Sequence, residues 1–299
     1  MTYIKDIFQN INHLSGDRLS ILQTAIKTFT DKQAAQASAG LAYYTFFSIF
    51  PLMLVFVAGG SYFLDTHQVY NTVTQFIQQA LPISRQVINE NLEEILEQRG
   101  TAGIVSLLIL LWSASGMFTN LAYNINLAWP RAARRNFLQN RLVGLWMIVG
   151  LIGLIALSLF LSWLTARLPF IHPASTSPTD LLILRIISAL GSWLMIFLVF
   201  LTLYQRIPTL RVRWSATLWG ALIASLSWKA VTTGFSWYLG SSFSQYQLIY
   251  GSLGAIVAFL FLIYIISFIT LFGAHLSAAI ESWESDHLHA AAAKSLKGV

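Results

Sequence analysis

The stretch SLSWKAVTTGFSWYL, residues 225–239, sets a single lysine, Lys229, among apolar, aromatic and small residues. At about 100° per residue, Ser225, Lys229, Thr232 and Ser236 share an arc of roughly 60° on one side of a helix. A cation flanked by hydroxyls is chemistry for holding an anion: the ammonium supplies charge and the hydroxyls supply hydrogen bonds. A second polar stripe runs through the segment around residues 113–124. There Ser113, Gly116, Asn120, Tyr123 and Asn124 fall within an arc of about 100°. Two asparagines one turn apart point to a hydrated cavity, whereas Ser, Thr and Gly positions serve equally well as helix-packing surfaces. Ser38, Thr45 and Ser48 form a shorter stripe ahead of Pro51, a residue that frees a backbone carbonyl and bends a helix.

Lys229 matters because of its surroundings. An ionised group near the bilayer centre costs about 2.5–3.5 kcal/mol on insertion scales. A carboxylate partner would offset that, yet all twelve Asp and Glu lie outside the apolar runs or at their margins. Three states are open to the lysine: neutral through burial, charged in water, or visited by an anion. The hydroxyl stripe suits a cavity that accepts an anionic ligand. Arg185, early in the fourth apolar run, is a second cation, either snorkelling to outer headgroups or adding to the same attraction. His275 shares a face with Tyr264, Ser267 and Ser282. It reads as a hydrogen-bonded packing residue or as part of a proton relay.

These residues need a membrane scaffold, and the composition provides one. The 299 residues are 56% hydrophobic and 10% charged, with mean hydropathy +0.63; soluble globular chains carry about 25% charged residues. The fold class expected is all-α, a polytopic membrane protein with six transmembrane helices. Its apolar runs lie near 38–64, 102–128, 141–167, 180–204, 214–240 and 248–280, each long enough for a hydrocarbon core of about 30 Å. The last two are separated by SSFSQYQ, which implies a tight hairpin. Residues 1–36 read as two amphipathic interfacial helices, the second with Asp17 as N-cap. Segment 65–101 reads as an external helical hairpin that caps the outer mouth or simply connects two spans. Residues 37–282 thus form one transmembrane domain, and 283–299 a cytoplasmic tail.

Thirteen Lys and Arg fall on the side of the N-terminus, the loops near 131–141 and 206–213, and the tail, against three on the other side. This asymmetry places both termini in the cytoplasm of a cell inner membrane. It also accounts for the net charge of +6 without a nucleic-acid partner; membrane lipids are the partners expected. There are no cysteines, hence no disulfides or thiolate metal sites. No secretory leader is expected at the head of the chain. GSLGA lacks the Lys-Ser/Thr of a phosphate loop. No intramembrane nucleophile–base set stands out, and Glu284, Asp286, His287 and His289 are a weak metal pattern. No catalytic residue, cofactor or metal is expected.

Several stretches together resemble the YihY/virulence factor BrkB family. They are AAQASAGLAYYTFFSIFPLMLVFVA (34–58), GIVSLLILLWSASGMFTNLAYNINLAW (103–129), LYQRIPTLRVRW (203–214), LIYGSLGAIVAFLFLIYIISFITLFGAHLSAAI (248–280) and the Leu-Pro at 81–82. The resemblance covers about residues 20–282 and implies a six-helix bacterial inner-membrane protein. Members have carried a ribonuclease label, an association with serum resistance, or candidacy as exporters of lipid-like envelope molecules. Two positions depart from the family pattern. Trp228-Lys229 stands where relatives commonly have Trp-Glu, and Gly273-Ala274-His275 where they commonly have Gly-Ala-Glu. A mechanism using those carboxylates is therefore not expected here, and the cationic replacement favours an anionic cargo. The expectation is a transporter or flippase-like exporter using Lys229, Arg185, Asn120, Asn124, Thr232 and Ser236; the alternative is a non-transporting scaffold. Basic loops alone make a poor ribonuclease.

Overall fold

The computed structural model describes residues 18–60, 101–167 and 178–297. Six helical stretches make up these ranges: α1 Arg18–Asp31, α2 Ala34–Gly60, α3 Thr101–Leu127, α4 Phe137–Arg167, α5 Pro178–Arg206 and α6 Trp214–Lys297. The first amphipathic segment, Asp17 and the 65–101 hairpin up to residue 100 lie outside the described residues. All the described elements are helical. Among the described residues, two stretches are long and apolar enough to cross a membrane, Phe137–Leu154 and Ile256–Asp286. The expected count of six crossings rests on the sequence.

Helix α1 carries its apolar residues on two sides. Ala25 and Phe29 are buried, whereas Leu22 and Ile26 are exposed. Phe29 packs against Phe268, Phe272 and His275 of α6, at ring separations of 4.7, 5.7 and 5.5 Å. The helix ends where Gln33 takes a left-handed φ of 52° and its N–H turns back to the Thr30 carbonyl at 2.9 Å. This is a helix-terminating conformation that glycine usually fills. The chain then restarts at once as α2.

Helix α6 spans 84 residues and would be about 126 Å long if straight. Its ends nevertheless touch. Ser277 Oγ donates to the Ala216 carbonyl at 3.0 Å, and Ser215 Oγ donates to Glu284 at 2.7 Å. The stretch therefore folds back on itself, and pairing residues 215–224 with 273–284 places the reversal in or beside the polar SSFSQYQ segment. The helix also runs past residue 282 to Lys297, through a region read from sequence as tail.

Close approach of the two arms depends on missing side chains. A Cβ on Gly220 would lie 2.8 Å from the Gly273 carbonyl and press on Ser277. One on Gly273 would lie 2.9 Å from the Ala224 Cβ and press on the Tyr204 hydroxyl. Tyr204 of α5, fully buried, donates to the Thr270 carbonyl at 2.8 Å. The main core gathers Leu41, Ala122, Ile125, Trp129, Phe200, Tyr204, Ile207, Val212, Ala224 and Leu271. Most of these lie toward the end that carries the 128–136 and 207–213 loops, called here the basic end.

At that end the two loops are joined to each other. Asn126 Nδ2 donates to the Ala133 carbonyl at 3.0 Å, and its Oδ1 accepts the Thr209 N–H at 2.9 Å. Thr209 Oγ1 reaches the same Ala133 carbonyl. Arg135 donates to the Ile207 carbonyl at 2.5 Å, and burial pulls its pKa below the ordinary arginine value. A hydrophobic exterior completes the molecule. Leu108, Ile109, Trp146, Leu190, Trp219, Trp237 and Val257 are all exposed, as helices facing hydrocarbon require.

Candidate functional site

Lys229 follows Trp214 by fifteen residues, about 22 Å along the first arm of α6. Its neighbour sets its direction. Trp228 is half-buried and meets Phe200 of α5 edge-on at 5.8 Å. One residue further the helix has turned by about 100°, and the Lys229 side chain is exposed. Along the same stripe Ser225 is fully buried, Thr232 is half-buried and Ser236 is exposed. The stripe thus starts inside the packed end and emerges with distance from it.

No carboxylate among the described residues meets the amine. Among the described residues the one ion pair is Arg213–Glu284, 3.8 Å apart at the basic end. The hydroxyls on the stripe are engaged with their own helix. Ser225 donates to the Leu222 carbonyl at 2.9 Å, Thr232 to that of Trp228 at 2.9 Å, and Ser236 to that of Thr232 at 2.9 Å. Each hydroxyl still has lone pairs to offer, and its proton can be redirected only by giving up that bond.

On α3, Asn120 and Asn124 are half-buried. Their amides donate one turn back, to the Gly116 carbonyl at 3.1 Å and the Asn120 carbonyl at 2.8 Å. Among the described residues no hydrogen bond or ion pair joins Lys229 to either asparagine or to His275. The histidine sits apart, 1% exposed, with Nδ1 at 3.2 Å from Thr28 Oγ1 and its ring against Phe29. Its surroundings are those of a packing residue that ties α1 to α6. Arg185 belongs to α5 and Pro51 to α2, which continues through it to Gly60; both side chains lie outside the described residues. Ser38 and Ser48 are buried, and Ser38 donates to the Ala34 carbonyl.

Arg141 is the residue that sequence reasoning assigned differently. The sequence puts it in the basic loop near 131–141, but α4 begins at Phe137, so Arg141 lies a full turn inside a helix. Its guanidinium carbon is 4.2 Å from the centre of the Trp112 ring, and Nη2 donates to the Trp112 carbonyl. Nη1 faces Gly116, close enough that a Cβ there would be at 3.7 Å. The signal was the spacing in NFLQNRLVGLW, where Asn136 and Gln139 cap a helix start; Asn136 N–H donates to Gln139 Oε1 at 3.0 Å. Asn126, Thr209 and Tyr204 carried no comparable signal, since their bonds span separations of 83 and 66 residues.

A chain whose described elements are all helical, with apolar side chains outward and polar stripes partly inward, is a membrane protein. It matches the virulence factor BrkB family over residues 25–296 and belongs to that family. It is 25% identical over 268 residues to the ribonuclease-like protein YfkH of Bacillus subtilis (strain 168), covering 88% of this chain and 95% of the relative. It is 27% identical over 281 residues to a UPF0761 membrane protein of Vibrio campbellii (strain ATCC BAA-1116), covering 92% and 88%. A longer UPF0761 membrane protein from Xanthomonas campestris pv. campestris (strain B100) is 27% identical over 258 residues, 86% of this chain and 60% of the relative. No solved structure matches the chain.

Proposed function

We propose that this protein crosses the cell inner membrane six times, with both termini in the cytoplasm. In this reading it moves an anionic lipid-like or other anionic envelope molecule as a transporter or flippase-like exporter. The observation that carries this is Lys229: an exposed cation at about 22 Å from the helix start, with no acidic partner among the described residues. Lys229 draws the anionic group of the cargo to the stripe. Thr232 and Ser236 offer hydroxyl oxygens beside it, Asn120 and Asn124 line a polar face on α3, and Arg185 adds a second positive charge. Membrane lipids are the partners, and one of them is the cargo class.

The test is reconstitution of the purified protein in vesicles containing a fluorescent phosphatidylglycerol. Transbilayer movement is followed by quenching of one leaflet. Lys229→Met is expected to abolish protein-dependent movement while leaving abundance and thermal stability at wild-type values. Movement that persists in the variant ends this reading.

A specific observation favours a second reading, a membrane scaffold. The hydroxyls of Ser38, Ser225, Thr232 and Ser236 all bond to their own helices, as residues chosen for close helix packing do. Wild-type protein that moves no lipid, in cells whose envelope weakens when it is deleted, selects the scaffold. The ribonuclease-like name belongs to YfkH. For this chain, incubation of purified protein with RNA and a divalent metal is expected to leave the RNA intact.

A further inference from the structure

Arg141 points the wrong way for a snorkelling residue. Its own helix starts at the basic end with Phe137, and helical side chains tilt by default toward the N-terminus, which here is the interface. Gly144, three residues deeper, faces the Ser115 carbonyl and Thr119. The Arg141 guanidinium nevertheless ends on Trp112, which is deeper still along α3. Trp112 precedes Leu127 by fifteen residues, about 22 Å from the basic end of its helix. That is the same axial distance at which Lys229 stands on α6.

The guanidinium is held but not neutralised. The Trp112 ring supplies a cation–π contact and its carbonyl accepts one N–H. Nε is buried with no hydrogen-bond partner, and among the described residues Arg141 has no ion pair. A planar fork with unspent donors, fixed against an aromatic face, suits the oxygens of a phosphate or carboxylate. Gly116 leaves open the space beside Nη1. We infer that Arg141, held on Trp112 beside Gly116, is an anion-binding group that takes the phosphate or carboxylate of an anionic amphiphile on the α3–α4 face. The inference adds a site to the anion-handling function proposed above, but it concerns equilibrium binding and stands whether or not transport occurs.

The test is native mass spectrometry of the full-length protein in neutral detergent, titrated with phosphatidylglycerol or phosphatidylcholine, with and without excess inorganic phosphate. Phosphatidylglycerol is expected to be retained preferentially. Arg141→Met should weaken that retention about tenfold, and Arg141→Lys should weaken it less. Displacement by inorganic phosphate assigns the site to the anion alone, and retention despite it assigns the site to the intact lipid; either supports the site. Equal retention of both lipids, or undiminished phosphatidylglycerol binding in Arg141→Met, overturns it. Should Arg141→Met fail to fold, Gly116→Leu decides, because a side chain there displaces the guanidinium; unchanged binding again overturns the site. Lys229→Met that loses transport but keeps this binding separates the two claims.

Discussion

Two parts of one helix show how this protein divides its work. Near the basic end, the first arm of α6 presents Ala216, Gly220, Ala221 and Ala224, all buried. The return arm comes close enough there for Ser277 to bond to the Ala216 carbonyl. A turn and a half beyond Ala224 the same arm carries Lys229, and from there Ala230, Thr233, Gly234 and Ser236 are exposed. Small side chains let backbones meet and exclude everything else. From Lys229 onward the arm has no such contact partner on this face among the described residues, and the face is exposed. The packed region holds the two arms together, and the open one leaves Lys229 exposed.

Substitutions can break that contrast, and the largest effect is expected in the packed region. Gly273→Leu drives a side chain into the Tyr204 hydroxyl and Ala224 and should cost about 3 kcal/mol. The loss is read as a fall in unfolding midpoint in detergent, and a wild-type midpoint would refute the packing described. Asn126→Ala leaves the Thr209 N–H and the Ala133 carbonyl with fewer partners. It should cost about 2 kcal/mol, with proteolysis appearing first in the 128–136 and 207–213 loops. Tyr204→Phe removes one buried hydrogen bond to Thr270 and should cost about 1 kcal/mol in the same unfolding assay. In the open region, at exposed Thr233, Thr233→Leu should shift stability by less than about 0.5 kcal/mol. A destabilisation there as large as that of Gly273→Leu would erase the distinction between the two regions.

Much of this was legible in the residues. Apolar runs at 102–128 and 214–240 correspond to helices starting at Thr101 and Trp214, because long apolar stretches have no other way to satisfy their backbones. That no described acid pairs with Lys229 agrees with where the acids lie along the chain. What escaped the sequence depends on distant partners or on local conformations without a marker. Arg141 looks like one more loop arginine until α4 begins four residues before it. Gln33 occupies a backbone region that a glycine would have advertised. His275 could be placed on a helix face, but not against Thr28, which is 247 residues away.

That last separation has a consequence for biosynthesis. Ala25 packs with Leu276 and Ala279, so part of the seat for α1 consists of residues synthesised about 250 residues later. At about 5–20 residues per second, synthesis of the intervening chain takes roughly 12–50 s. Throughout that interval α1 lacks the part of its seat that Leu276 and Ala279 provide, and only its contacts with α2 are available to it.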